Sequence, residues 1–281
     1  MGVQLPGASF VNPGTPLRDA LTVAAADMAL GITALGNDYR PMARTVDEKA
    51  IVNAMVALAA TGGSTNHAIH LVAVARAAGL VIDWDDLDEV SRATPLLAHV
   101  YPNGSADVNG FQAAGGTGFV IRELIDAGLL HPDIACVHGG DLRQQAMEPF
   151  LDDLALKWRD PPAATRDPAI LRPVSDPFDA EGGLRRLQGN LGRAIVKVSA
   201  VAREFRRIEA PARVFHDQNE MQAAFSNGEL ERDVVAVDTS RPVGPGNARL
   251  RDGKRPRPLA LRVNAGDCLR VQFTNWLAPT R

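Results

Sequence analysis

Residues 159–178 read RDPPAATRDPAILRPVSDPF, and five prolines in twenty positions leave no room for a long helix or a central strand. The stretch reads as an exposed connector, dense in proline and arginine. It divides the 281-residue chain into parts of different character. Ahead of it, apolar residues recur at helical spacing. Beyond it, β-branched residues cluster in short runs. A chain built this way belongs to the α/β class, with a helix-rich portion first.

Residues 15–35 predict a helix, because Thr15 can cap it and Pro16 suits the first turn. A second spans Asp47 to Ala60, with acidic residues where the helix dipole favours them. A third covers 64–78. An acidic helix follows "DWDDLDEVSRAT", with Asp83 as its cap. "GFQAAGGTGFVIRELIDAGLL" reads as a turn and then a helix, since Phe119, Ile121, Leu124, Ile125 and Leu129 recur at helical spacing and Gly128 sits near the end. Few clear strands are expected before about residue 155.

Past the connector, "GRAIVKVSAV", "ARVFHD" and "RDVVAV" have the pattern of strands, with a short helix "QNEMQAAFSNG" before the last. The final stretch holds "LALRV" and "CLRVQFTN" joined by "NAGD", which predicts a hairpin. The expected layout is therefore a helix-rich α/β domain over 1–160 and a linker over 161–180. A partial β-rich, barrel-like domain over 181–237 and a C-terminal hairpin segment over 238–281 complete it.

A net charge of −3 argues against a nucleic-acid partner or an anionic membrane surface. The basic residues from Arg249 to Arg257 are interleaved with proline and glycine and read as a solvated linker. Two distant cysteines, Cys136 and Cys268, argue against a disulfide scaffold and suit a reduced, cytoplasmic setting. No apolar run is long enough to span a bilayer. The opening "MGVQLPGASFVNPGTPL" lacks the basic start and apolar core of a signal peptide and reads like the middle of a domain.

"ATGGSTNHAIHL", residues 60–71, is the first polar constellation. Gly62 and Gly63 allow positive φ or close backbone approach. Ser64 or Thr65 can cap the next helix, whose unpaired N–H groups favour an anion such as phosphate or carboxylate. Asn66 and His67 add side-chain donors. The same residues also describe an ordinary helix start that binds nothing. His67 and His70 share a helical face, but no third metal ligand is evident nearby, so no metal site is assigned. His70, followed by "LVAVA", suits a hydrogen-bonded buried position, and His67 is the better functional candidate. "HVYPNGSADVNGFQAAGG", residues 99–116, is the second constellation, with Asn103 in a turn and Asp107 and Asn109 after it. It serves equally well as a loop with a cap. "QGNLGR", 188–193, is a third such joint. Cys136 near His138 is a weak ligand pair.

Taken in order, "LPGASFVNPGTPLRDA", "VDEKAIVNAMVALAATGGSTNHAIHLVAVARAAG", "YPNGSADVNGFQAAGG" with "FVIRELIDAGLLH", and "LQGNLGRAIVKVSAV" closely resemble the dihydroxy-acid/sugar-acid dehydratase family, on its phosphogluconate branch. The resemblance runs from residue 1 to about 237. It implies a hydro-lyase of the Entner–Doudoroff route that converts 6-phosphogluconate to 2-dehydro-3-deoxy-6-phosphogluconate. It also implies a 4Fe-4S iron–sulfur cluster acting as Lewis acid, and a base that removes the proton beside the carboxylate. The substrate-binding set it suggests is Gly62, Gly63, Ser64, Thr65, Asn66, His67 and Asn103. No catalytic residue is assigned.

Against that pattern, a cluster takes about three or four thiolates, and the sequence carries two cysteines. In the family the cluster cysteines lie upstream of "LPGASF" and the proposed catalytic serine in a later Gly- and Ser-rich motif that has no match after 237. Gly110 stands where the family often has histidine. The stretch 241–279 resembles the opening of a multicopper-oxidase cupredoxin domain, yet no histidine follows His216, so it carries no copper site. The expectation is a centrally placed, truncated dehydratase portion that binds no cluster and is inactive by itself. The alternative is a non-catalytic fragment that assembles with an intact dehydratase subunit or with copies of itself.

Overall fold

A computed structural model describes residues 1–189, 192–207, 209, 211–230 and 235–238. The chain forms two compact units, Met1–Arg185 and Arg186–Arg281.

In the first unit, α1 (Pro16–Gly31) is capped by Thr15, whose side chain accepts from the Arg18 N–H. The one-turn α2 (Met42–Thr45) leads into α3 (Glu48–Ala60), capped by Asp47 through the Ala50 N–H at 2.8 Å. Helix α4 (Thr65–Ala77) follows, and α5 (Trp84–Ala93) begins with a capping box between Asp83 and Asp86. Next come α6 (Val108–Ala114), α7 (Gly116–Asp126) and the short α8 (Leu142–Gln145).

The core gathers around α3 and α7. Ala50, Val56 and Ala60 from α3 meet Phe119, Val120, Leu124 and Ile125 from α7, with Leu97, Ile134 and Leu171 closing the sides. Asn53 sits inside this apolar face and clamps the far loop. Its amide donates to His131 O at 2.9 Å and accepts from His131 N at 2.8 Å. Both polar ends are thus satisfied, which a buried amide requires.

The connector is only partly the exposed stretch that was expected: Arg159, Asp160, Arg166, Asp176 and others are exposed, but Leu171 is fully buried, and backbone bonds from His99 N to Ile170 O, Arg172 N to Leu97 O and Phe178 N to Leu96 O lace its second half onto the core. Proline forbids helix but leaves extended backbone free to pair one residue at a time. A hairpin also forms where few strands were expected. Strand β1 (Glu148–Asp152) pairs antiparallel with β2 (Ala155–Arg159), from Glu148 opposite Arg159 to Asp152 opposite Ala155. Its two-residue turn places Asp153 and Leu154 at φ 46 and 67, a conformation that usually calls for Asn-Gly. Neither that turn nor Pro149 within the strand is a sequence signature of a hairpin. In addition, the segment read as a turn before α7 includes helix α6.

At the junction of the units, β3 (Leu184–Gly189) pairs with β4 (Gly192–Lys197). In the second unit β5 (Ala212–Phe215) runs parallel to β6 (Val235–Asp238), with α9 (Gln218–Ser226) between them in sequence. The described strands thus form three two-stranded sheets and no closed sheet, so the barrel-like expectation is not met among the described residues. The reason is local: β5 and β6 spend their connection on a helix, which makes a parallel pair and not a meander. The C-terminal hairpin and its cupredoxin-like resemblance lie outside the described residues. Among the described residues, no helix is long and apolar enough to cross a membrane.

Candidate functional site

The α3–α4 junction is built from the backbone outward. At the end of α3, Gly62 N donates to Ala59 O at 3.2 Å and Gly63 N to Leu58 O at 3.0 Å. Gly62 has φ +56, and a methyl at Gly63 would lie 2.5 Å from Leu58 Cδ1. Both glycines therefore have a conformational or packing reason to be glycine. Ser64 then caps α4 by accepting from Asn66 N at 3.2 Å.

The start of α4 opens to solvent. Ser64, Asn66, His67 and His70 are exposed and Thr65 is half-buried. His70 is therefore not the buried histidine expected from the "LVAVA" that follows it; the buried face of α4 is Ala68, Leu71 and Ala75. His67 lies at the surface. Desolvation, then the neighbouring His70, lowers its imidazole below the ordinary value. A lowered value keeps the imidazole neutral at neutral pH.

Asn103 joins this junction from 41 residues away. Its amide donates to Gly62 O at 3.2 Å. The loop carrying it is itself fixed by Asn103 N to Val100 O and Tyr101 N to Ala106 O. The structure thus brings Asn103 against Gly62, two residues before the Ser64 cap. Asp107 and Asn109 turn elsewhere. Asp107 caps α6 by accepting from Gly110 N at 2.8 Å and from Asn109 Nδ2 at 3.1 Å. The Gly110 N–H, then the Asn109 amide, hold its carboxyl below the usual range. Of "QGNLGR", Asn190 and Leu191 lie outside the described residues.

The described donors do not suit an iron–sulfur cluster. Cys136 is buried, packed under Gly2, with Sγ 4.0 Å from Ile134 O. Burial pushes its thiol up to about 11, which disfavours the thiolate a cluster needs. Nearby, His138 Nδ1 accepts from Gly140 N at 3.2 Å, and burial followed by Arg40 lowers its imidazole. No group of three or more His, Cys, Asp or Glu residues is placed to hold a metal ion among the described residues. Cys268 lies outside them.

Two family models match the chain: Dihydroxy-acid/6-phosphogluconate dehydratase N-terminal over residues 1–145, and the corresponding C-terminal model over 169–251. The first alone takes in α1 to α8 and the whole junction just described. The chain belongs to the dihydroxy-acid/6-phosphogluconate dehydratase family. It is 60% identical over 237 residues to the phosphogluconate dehydratase of Pseudomonas aeruginosa, covering 84% of this chain and 39% of that one. To the phosphogluconate dehydratase of Escherichia coli K12 it is 51% identical over 237 residues, with the same coverage. To the dihydroxy-acid dehydratase of Halorhodospira halophila it is 33% identical over 273 residues, covering 96% of this chain and 45% of the other. The chain therefore spans 39% of the length of each of these two phosphogluconate dehydratases.

Asn53 was not among the sequence candidates. The one signal for it was an asparagine within the otherwise apolar run "IVNAMVALAA". Its contacts make it a clamp of the core and not a ligand-facing group.

Proposed function

We propose that this chain carries the substrate-anion seat of a phosphogluconate-type hydro-lyase, the reaction being conversion of 6-phosphogluconate to 2-dehydro-3-deoxy-6-phosphogluconate. The seat is the exposed start of α4. Ser64, Thr65 and Asn66 present backbone N–H and side-chain donors at the positive end of the helix dipole. Neutral His67 adds a hydrogen bond. Gly62 and Gly63 shape the approach. The observation that carries the reading is the Asn103–Gly62 bond, which ties two motifs 41 residues apart into one open, polar surface. Asn103 positions the loop.

When present, an iron–sulfur cluster would supply the Lewis acid for the departing hydroxyl. The one described thiol is sealed and held protonated, and the sequence holds only one more cysteine. The 281-residue polypeptide by itself therefore binds sugar-acid phosphate and does not turn it over. The setting we propose is cytoplasmic, with a β-rich second region beyond the connector and residues 238–281 as a separate segment.

Calorimetric titration of the purified chain with 6-phosphogluconate tests this directly. Binding should be saturable, and Asn103→Ala should weaken it roughly tenfold, equivalent to about 1.4 kcal/mol. Equal affinity of Asn103→Ala and the unaltered chain, or no binding by either, contradicts the proposal.

A further inference from the structure

Helix α1 is oddly dressed for a surface helix. Ten of its sixteen residues are Ala, Leu, Val or Met, yet Leu21 is the one buried residue on it. Its inward side is Leu17, Ala20, Leu21, Ala24 and Met28, which are half-buried or buried. At 100° per residue, Val23, Ala26 and Leu30 line the opposite side. Val23 is 62% exposed and Leu30 72%. The chain then folds back on the helix end, with Gly36 N bonded to Thr33 O and Asp38 N to Gly31 O. That turn leaves Leu35 99% exposed. Exposed apolar side chains aligned along one helix face, with another just past its end, mark a contact surface.

The relatives indicate what covers it. Helix α1 lies within the 1–145 match, so it is part of the family's N-terminal domain. In the Pseudomonas aeruginosa relative the matched stretch is 39% of the chain, and the larger part of that polypeptide has no counterpart in the alignment. We infer that the Val23–Ala26–Leu30–Leu35 ridge is the docking face for that larger part of a dehydratase polypeptide. Asp19 is exposed at the N-terminal end of the ridge and Asp27 beside it. The docking segment is therefore apolar at its centre and basic at its rim. This inference rests on the family and not on the proposed anion seat.

Two readouts test it, and neither depends on substrate binding or turnover. In this chain, Val23→Cys and Leu30→Cys are each labelled with a maleimide, against the unsubstituted chain as background. In the intact Pseudomonas aeruginosa enzyme, a photo-crosslinking amino acid replaces the residue aligned with Leu30, and crosslinked peptides are mapped. The expected result is labelling here at the rate of a free exposed thiol at both positions. In the relative, crosslinks should fall on peptides outside the matched 237 residues. Slow labelling at both positions here would mean that this chain covers its own ridge, and it overturns the inference. Crosslinks within the matched stretch, which indicate a second copy, or no crosslinks at all, overturn it as well.

Discussion

Single residues decide more of this structure than their chemistry suggests. Asn53 satisfies both polar groups of His131 from inside the core. Asn53→Leu leaves those backbone groups unpaired and should cost about 1–3 kcal/mol, read by urea denaturation. An unchanged midpoint would show that water or a shift of the loop replaces the clamp. At the other extreme, Leu154 is 85% exposed and holds φ 67 in the tight hairpin turn. A β-carbon in that region costs about 1–2 kcal/mol, and glycine removes the clash. Leu154→Gly should therefore raise the denaturation midpoint, stabilising by about 1 kcal/mol. Gly62 and Gly63 show why the candidate seat was only partly legible. Their identities announced a special backbone, but that backbone is fully explained by ending α3 and packing on Leu58. A ligand is not needed to account for them.

At the scale of elements, caps were the most readable signals. Thr15 and Asp83 each cap the helix they were expected to cap, and of Ser64 and Thr65 the structure uses Ser64, because a short side-chain acceptor beside an apolar run has a specific local use; Asp47, read as a first-turn acid, is a cap as well. Partners distant in sequence left no such trace. The bonding of the connector's second half to residues 96–99 and the meeting of Asn103 with Gly62 depend on contacts that no local pattern encodes. Helix α6 illustrates the same limit. Gly110 lies inside it, and a β-carbon there would meet Ile170 Cδ1 at 3.4 Å, an ordinary contact. Gly110→Ala should thus stabilise the protein by about 0.5–1 kcal/mol through helix propensity. A fall in melting temperature would mean that α6 needs glycine for a reason beyond its backbone.

For the whole molecule, titration separates the two ends of the pH range. His67, His99 and His138 all have imidazoles lowered chiefly by burial. The folded state then binds fewer protons than the unfolded chain. Stability is complete above the ordinary histidine value of about 6.5 and declines as pH falls through it. Cys136 acts at the other end. Its thiol stays protonated up to about 11 when folded, against an ordinary thiol value of 9.0. The folded state binds more protons there, so stability falls as pH rises from 9 to 11, and Cys136→Ala should flatten that limb. Denaturation midpoints across pH 5 to 11 check both signs. The family was legible because its motifs are long and ordered, whereas the placement of Cys136 under Gly2 required the fold. That sealed thiol also matters for function, since it removes one of the chain's two cysteines from any cluster. The decisive measurement is formation of 2-dehydro-3-deoxy-6-phosphogluconate by the purified 281-residue protein after anaerobic reconstitution with iron and sulfide. The account predicts no product above the protein-free control. Sustained turnover accompanied by a stoichiometric iron–sulfur cluster would contradict it.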